Sequence, residues 1–97
     1  MQVKPVRLKT AAKADLVSMW RYTLGQFGER QADRYYASLV EAFAKIGSGQ
    51  IQGLPYQARK LYLKYRVGRH FIFYENCGSD YEVKRILHQR MNLDQRL

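Results

Sequence analysis

The segment RILHQRM, Arg85 to Met91, sets a histidine among arginines at the close of a stretch patterned as a strand. Imidazole moves protons near neutral pH, and guanidinium groups stabilise a pentavalent phosphate, so RNA cleavage is chemistry that such a set can serve. A second run of cations precedes it: Arg59, Lys60, Lys64, Arg66 and Arg69, with no acid among them. His70 follows that run on the apolar face of its strand, where a partly buried structural role fits better than catalysis. His88 lies nearer the cations, and a structural and a chemical role are both open to it. The other reactive types offer less. One cysteine, Cys77, excludes an internal disulfide, and in the turn-like NCGSD it reads as a bystander thiol of a reduced compartment. With one cysteine and two well-separated histidines, no metal-ligand spacing exists, and no cofactor motif is present.

The chain that must position these groups has 97 residues and a formal net charge of +9. That length gives one domain, 1–97, with a two-layer core. A hydrophobic fraction of 46% excludes a disordered chain. The charge favours an acidic partner: nucleic acid, an anionic membrane surface or an acidic protein. MQVKPVRLKT has no apolar signal-peptide core, and no run approaches the length of a membrane span, so a soluble cytoplasmic protein without membrane contact is expected.

The hydrophobic period changes once along the chain. QVKPVRL, with Val3, Val6 and Leu8, reads as a short edge strand, since Pro5 cannot donate to a ladder. Thr10 is placed to cap a helix whose buried face is Ala12, Leu16, Met19, Trp20, Thr23 and Phe27. The short link GQFG leads to a second helix with Ala32, Tyr35, Tyr36, Leu39, Phe43 and Ile46 inward, stopped by Gly47 and Gly49. Two such helices on so short a link form an antiparallel hairpin. GSGQIQGLPYQ is loop by composition. The period then becomes two. In KLYLKYRVGRHFIFYEN, Gly68-Arg69 suits a type II′ turn, which pairs Val67 with His70, Tyr65 with Ile72 and Leu63 with Tyr74. Those residues and Leu61 make an apolar face; Tyr62, Lys64, Arg66, Phe71, Phe73 and Glu75 make the opposite, more open one. YEVKRILH is a third strand whose alternation does not orient it, and QRMNLDQRL is a polar tail. The expected fold is α+β: an N-terminal strand and an antiparallel helical hairpin packed on one face of a small antiparallel sheet.

Like charges packed into one hairpin repel, so the cation run needs a reason beyond a solvated face. A docking surface for phosphate or carboxylate groups supplies one, with Phe71 and Phe73 as stacking platforms.

The stretch Ala14 to Phe43, followed by VGRHFIFYE and RILHQRM, resembles the ParE branch of the RelE/ParE toxins of bacterial toxin–antitoxin systems. The likeness runs from Leu8 to Leu97. Each motif is weak alone, but their order and spacing are specific, and the family fold agrees with the one read above. RelE-type relatives cut ribosome-bound mRNA with a basic cluster and a Tyr, or a Glu, His and Tyr set. This chain has no aromatic residue after Tyr81, and His88 is followed by Gln89, so that set is incomplete. The resemblance therefore implies no catalytic residues and a toxin that poisons DNA gyrase and blocks replication; a RelE-type endoribonuclease is the alternative. Target contacts are expected at Arg59, Lys60, Lys64, Arg66, Arg69, Arg85, His88 and Arg90. The implied partner is a cognate antitoxin, acidic or partly disordered, with operator DNA reached only through it; Trp20, Leu24, Tyr35 and Leu39 are candidate contacts for it, with plain core as the alternative and the better fit for Tyr35 and Leu39. Relatives often carry an acid after the Arg-Met pair; here Asn92 stands there and the nearest acid is Asp94.

Overall fold

The computed structural model describes residues 3–97. Its elements run β1 (Val6–Leu8), α1 (Thr10–Phe27), α2 (Glu29–Ser48), β2 (Leu54–Pro55), β3 (Leu63–Val67), β4 (His70–Asn76), β5 (Tyr81–His88) and α3 (Leu93–Arg96). The expected α+β fold is present, with one difference in the sheet. It has five strands in the order β1-β5-β4-β3-β2, and β1 lies parallel to β5, so the sheet is mixed. The N-terminal strand is indeed an edge, but Pro5 stands outside it, where its carbonyl accepts from the Tyr81 amide. Val3 is exposed and outside the strand, and Gln2 lies outside the described residues.

Both helices are amphipathic, and both press onto one sheet face. Ala12, Leu16 and Met19 of α1 and Leu39, Ala42 and Ile46 of α2 meet Ile72, Tyr74, Val83 and Ile86 of the sheet. Thr23, at the end of the α1 stripe, satisfies its hydroxyl on the Met19 carbonyl. Several helix details depart from the periodic reading. Lys9, not Thr10, takes the capping position, without a side-chain bond; its amide is held by the Val83 carbonyl. The helix runs on through Gly25, and Gly28 alone joins the two helices. Phe27, in the last turn, is 69% exposed, and Tyr36 is 41% exposed, so neither belongs to the core. Gly47 marks where the chain before β1 crosses α2: a Cβ there would meet the Lys4 carbonyl oxygen at 2.7 Å.

The β3–β4 hairpin has the register expected from its turn, Val67↔His70, Tyr65↔Ile72 and Leu63↔Tyr74. Gly68 has φ +57° while Arg69 stays out of the positive region, as a type II′ turn requires. Leu61, in contrast, leaves the apolar face: it is 70% exposed with φ +74°. β5 owes its unreadable alternation to a bulge. Phe73 pairs with Arg85 but Tyr74 pairs with Val83, so Lys84 is the extra residue. The bulge lets Val83 and Ile86, an odd number of positions apart, both face the helices. The glycine-rich loop carries the two-residue strand β2 on the far edge of β3.

The outer sheet face is less open than its polarity suggests. Phe73 is fully buried, its ring edge-on to Tyr56 at 5.1 Å, so it is no stacking platform. The tail, a short helix capped by Asn92, is tied to the loop before β3: Tyr56 donates to Asp94 at 2.5 Å, and Arg59 to the Leu97 carbonyl at 2.6 Å.

Candidate functional site

Of the expected target contacts, Arg85 is placed least like a free cation. β1 ends at Leu8, opposite Val83, which leaves the β5 edge unpaired beyond that point. Asp15 of α1 fills the gap: it accepts from the Ile86 amide at 3.0 Å and takes the Arg85 guanidinium as a fork at 2.7 and 2.9 Å. Arg85 also donates to the Arg96 carbonyl. It is a fastener between helix, sheet and tail. His88 sits with its ring edge-on to His70 at 5.1 Å, and its Nδ1 accepts from the Arg90 amide.

His70 is held in turn by Tyr35. The Tyr35 hydroxyl lies 2.7 Å from His70 Nδ1, 3.0 Å from the Val67 carbonyl and 3.1 Å from the Arg69 amide. A phenol has one proton to give. All three partners are satisfied when it donates to Val67 and accepts from the Arg69 N–H and a His70 Nδ1–H. Burial, then repulsion from His88, push the His70 pKa down to about 4, against a smaller pull from Asp15; burial raises that of Tyr35. Tyr35, read as an antitoxin contact, is thus committed to latching the β3–β4 turn, and Leu39, read likewise, is fully buried. Leu39 presents no surface, and Tyr35 only part of its ring.

The remaining cations line the hairpin and its approaches. Arg66, Arg69 and Arg90 are exposed at the β3–β4 end of the sheet; Arg66 bonds the Gly68 carbonyl through Nε. Lys64 lies half-buried over the Phe71 and Tyr56 rings, 4.8 and 5.4 Å from their centroids. Arg59 and Lys60 belong to the loop beside exposed Leu61. Lys84, on the same face but at the other end, is neutralised by Glu82 and Glu75. Lys84 answers to Glu82, which Arg7 also grips, so this end is a closed charge ladder.

A second surface lies on the helices. Val17, Trp20 and Leu24 follow one another at three and four residues along α1, and Tyr36 and Val40 do so along α2. Trp20 Nε1 donates to Asp33, one turn before Tyr36, which brings the two rows together. Val17 and Val40 are 48% and 45% exposed, and Trp20 and Leu24 are half-buried. The result is a partly exposed apolar stripe along the outer side of the hairpin. Sequence reasoning found Trp20 and Leu24 but missed Val17 and Val40, which lie one step off the buried stripe; their β-branched apolar side chains at polar-face positions were the available signal.

The groups of a metal site are not gathered anywhere among the described residues, and no helix there is long and apolar enough to cross a membrane.

Comparison with known proteins adds the family context. Residues 6–93 match the family described as the ParE toxin of the type II toxin–antitoxin system parDE. The chain is 36% identical over 91 residues to Toxin ParE1 of Caulobacter vibrioides, covering 93% of this chain and 94% of that protein. It is 34% identical over 92 residues to Toxin ParE1 of Mycobacterium tuberculosis, with the same coverage of each. Its fold superimposes, with a TM-score of 0.77 at 16% identity, on a chain from the chromosomal ParDE system of P. aeruginosa, over 89% of this chain and 96% of that one.

Proposed function

Since this chain belongs to the ParE toxin family, and is therefore the toxin of a type II toxin–antitoxin pair with an antitoxin as partner, we propose that it acts in the cytoplasm by binding and poisoning DNA gyrase rather than by cutting RNA. The observation that carries this choice is the commitment of the would-be catalytic groups. Arg85 is locked to Asp15, His88 Nδ1 is taken by the Arg90 amide, and the Tyr35–His70 pair holds a turn. A nuclease of the RelE kind needs its acid, base and cations free to close on a phosphate. These groups instead stiffen the sheet that presents Lys64, Arg66 and the exposed Leu61 loop. A left-handed leucine with its side chain in solvent is strain without a packing return, as docking loops often carry.

In the same reading, the antitoxin lays an amphipathic helix along the exposed apolar stripe of Val17, Trp20, Leu24, Tyr36 and Val40, and the positive field speeds its association if it is acidic. An extended piece of it has a place on β3, whose edge beyond Lys64 is not covered by β2. The test of the whole proposal is induced expression in bacteria. The wild-type chain should halt growth with a DNA-damage response, and the Lys64→Glu, Arg66→Glu variant should be folded and harmless. Undiminished toxicity of that folded variant would remove this face from the target contact. Growth arrest with cleaved mRNA and no DNA damage would favour the RelE reading.

A further inference from the structure

The charged groups of this fold are sorted by position, and the sorting goes further than a basic total. Every Asp and Glu other than Glu29 is held by a partner: Asp15 by Arg85, Asp33 by Trp20, Glu41 by Lys45, Asp94 by Tyr56, and Glu75, Asp80 and Glu82 by Arg7 and Lys84. The last three surround the β4–β5 turn. The opposite end of the same two strands is about 20 Å away at the usual rise per residue, and it carries Arg66, Arg69 and Arg90. The Gln89 amide bonds the Arg69 carbonyl at 2.8 Å, which sets Arg69 and Arg90 on adjoining backbone, with Arg66 across the turn. None of the three guanidinium groups has an acidic partner among the described residues. Arg66 uses only its Nε, on the Gly68 carbonyl, so its terminal nitrogens remain available.

This corner is also stiff. Tyr35 fastens both sides of the turn and His70 packs between Tyr35 and His88, so three arginines are presented on backbone that need not reorganise. The surroundings discriminate between kinds of acidic partner. Protein hot spots centre on buried apolar anchors, and the one large exposed apolar side chain adjoining these arginines in sequence is Met91. Planar forks without an apolar anchor suit phosphodiester oxygens, and the far end, whose acids and cations are paired with one another, offers a duplex no competing cluster of free cations. We propose that the corner formed by Arg66, Arg69 and Arg90 docks on the phosphate backbone of double-stranded DNA. This deepens the gyrase reading: the toxin would hold the DNA segment on which gyrase works, while other parts of the sheet face touch the enzyme.

The experiment is fluorescence anisotropy of the purified chain with a labelled duplex of mixed sequence, across a salt series and without gyrase. Three phosphate contacts give a slope of about −2.7 in log K against log salt, or roughly a 40-fold loss between 50 and 200 mM. The triple variant Arg66→Gln, Arg69→Gln, Arg90→Gln should lose that slope while its circular dichroism is unchanged. A triple lysine variant should keep most of it, which separates charge from loss of fold. No binding at 50 mM salt, an unchanged slope in the glutamine variant, or equal affinity for a polyglutamate chain of matched charge would each overturn the assignment. Gyrase inhibition is scored separately. DNA binding without inhibition would break the gyrase reading and leave the corner intact; inhibition without DNA binding would do the reverse.

Discussion

Removing one oxygen from Tyr35 should weaken this fold more than any comparable change on its surface. Tyr35→Phe keeps the ring against Gly68 and His70 but abolishes bonds to Val67, Arg69 and His70 together. A neutral hydrogen bond contributes about 1 kcal/mol net, and a buried group left unpaired costs more. Val67 and Arg69 lie at a turn that water can reach, whereas His70 is half-buried and its Nδ1 is left without a partner. The three together come to about 2 kcal/mol. For a domain of this size that lowers Tm by roughly 10 °C, and with a urea slope of about 1–1.5 kcal/mol/M it moves the midpoint by roughly 1.5 M. Thermal melts and equilibrium urea unfolding, both followed by circular dichroism, read the two numbers. Tyr22→Phe is the control, because Tyr22 is 65% exposed and its hydroxyl has no partner among the described residues. A Tyr35→Phe variant within 0.5 kcal/mol of wild type, about the scatter expected of surface substitutions, would refute the latch.

Other expectations follow from the same geometry. His70, faced by Tyr35, His88, Arg69 and the field of Asp15, has a folded pKa of about 4 against 6.5 when unfolded. The unfolded chain therefore takes up this proton first, so its contribution is complete above pH 6.5 and is lost as pH falls toward 4. Discounted for partial exposure, the loss is about 1–2 kcal/mol; urea titrations at pH 7.5 and pH 4.5 should show it in wild type and not in His70→Asn. Glycine substitutions should split in sign. Gly68→Ala forces a Cβ to 2.8 Å from the Tyr35 ring at φ +57° and should cost about 1–3 kcal/mol, whereas Gly25→Ala, in open space within α1, should stabilise by about 0.5–1 kcal/mol, both by thermal melts. On the apolar stripe of the helices, Val40→Glu should weaken antitoxin binding at least tenfold by calorimetry with Tm unchanged, because that side chain is exposed.

Much of the fold could be read before any coordinates because local rules and tertiary packing agree. The helices follow their apolar stripes, and a single Gly-Arg step sets the whole β3–β4 register. The failures have identifiable physical causes. A bulge shifts alternation by one position, and nothing in YEVKRILH distinguishes Lys84 as the extra residue. Phe73 pairs with Lys64 and so shares a sheet face with Lys64 and Arg66, but its burial is decided by Tyr56 and the tail, distant in sequence. Arg85 looks like a free cation until β1 proves too short to cover its strand and Asp15 steps in. Among the proposed contacts, Leu39 lay on the apolar stripe and went to the core and Tyr35 is half-buried beside it, while Val17 and Val40 lay next to the stripe and stay exposed. Periodicity locates the buried face well and the rim of that face poorly, and binding surfaces of paired helices lie on the rim.

On the proposed function, this chain works by holding gyrase on its DNA. The direct measurement is gyrase supercoiling of relaxed plasmid with the purified, folded chain titrated in, and cleaved plasmid quantified after protein denaturation. The account predicts lost supercoiling with accumulation of linear DNA, both reversed by the cognate antitoxin. Full supercoiling and intact plasmid at saturating toxin, with cleavage of ribosome-bound mRNA by the same preparation, would contradict it.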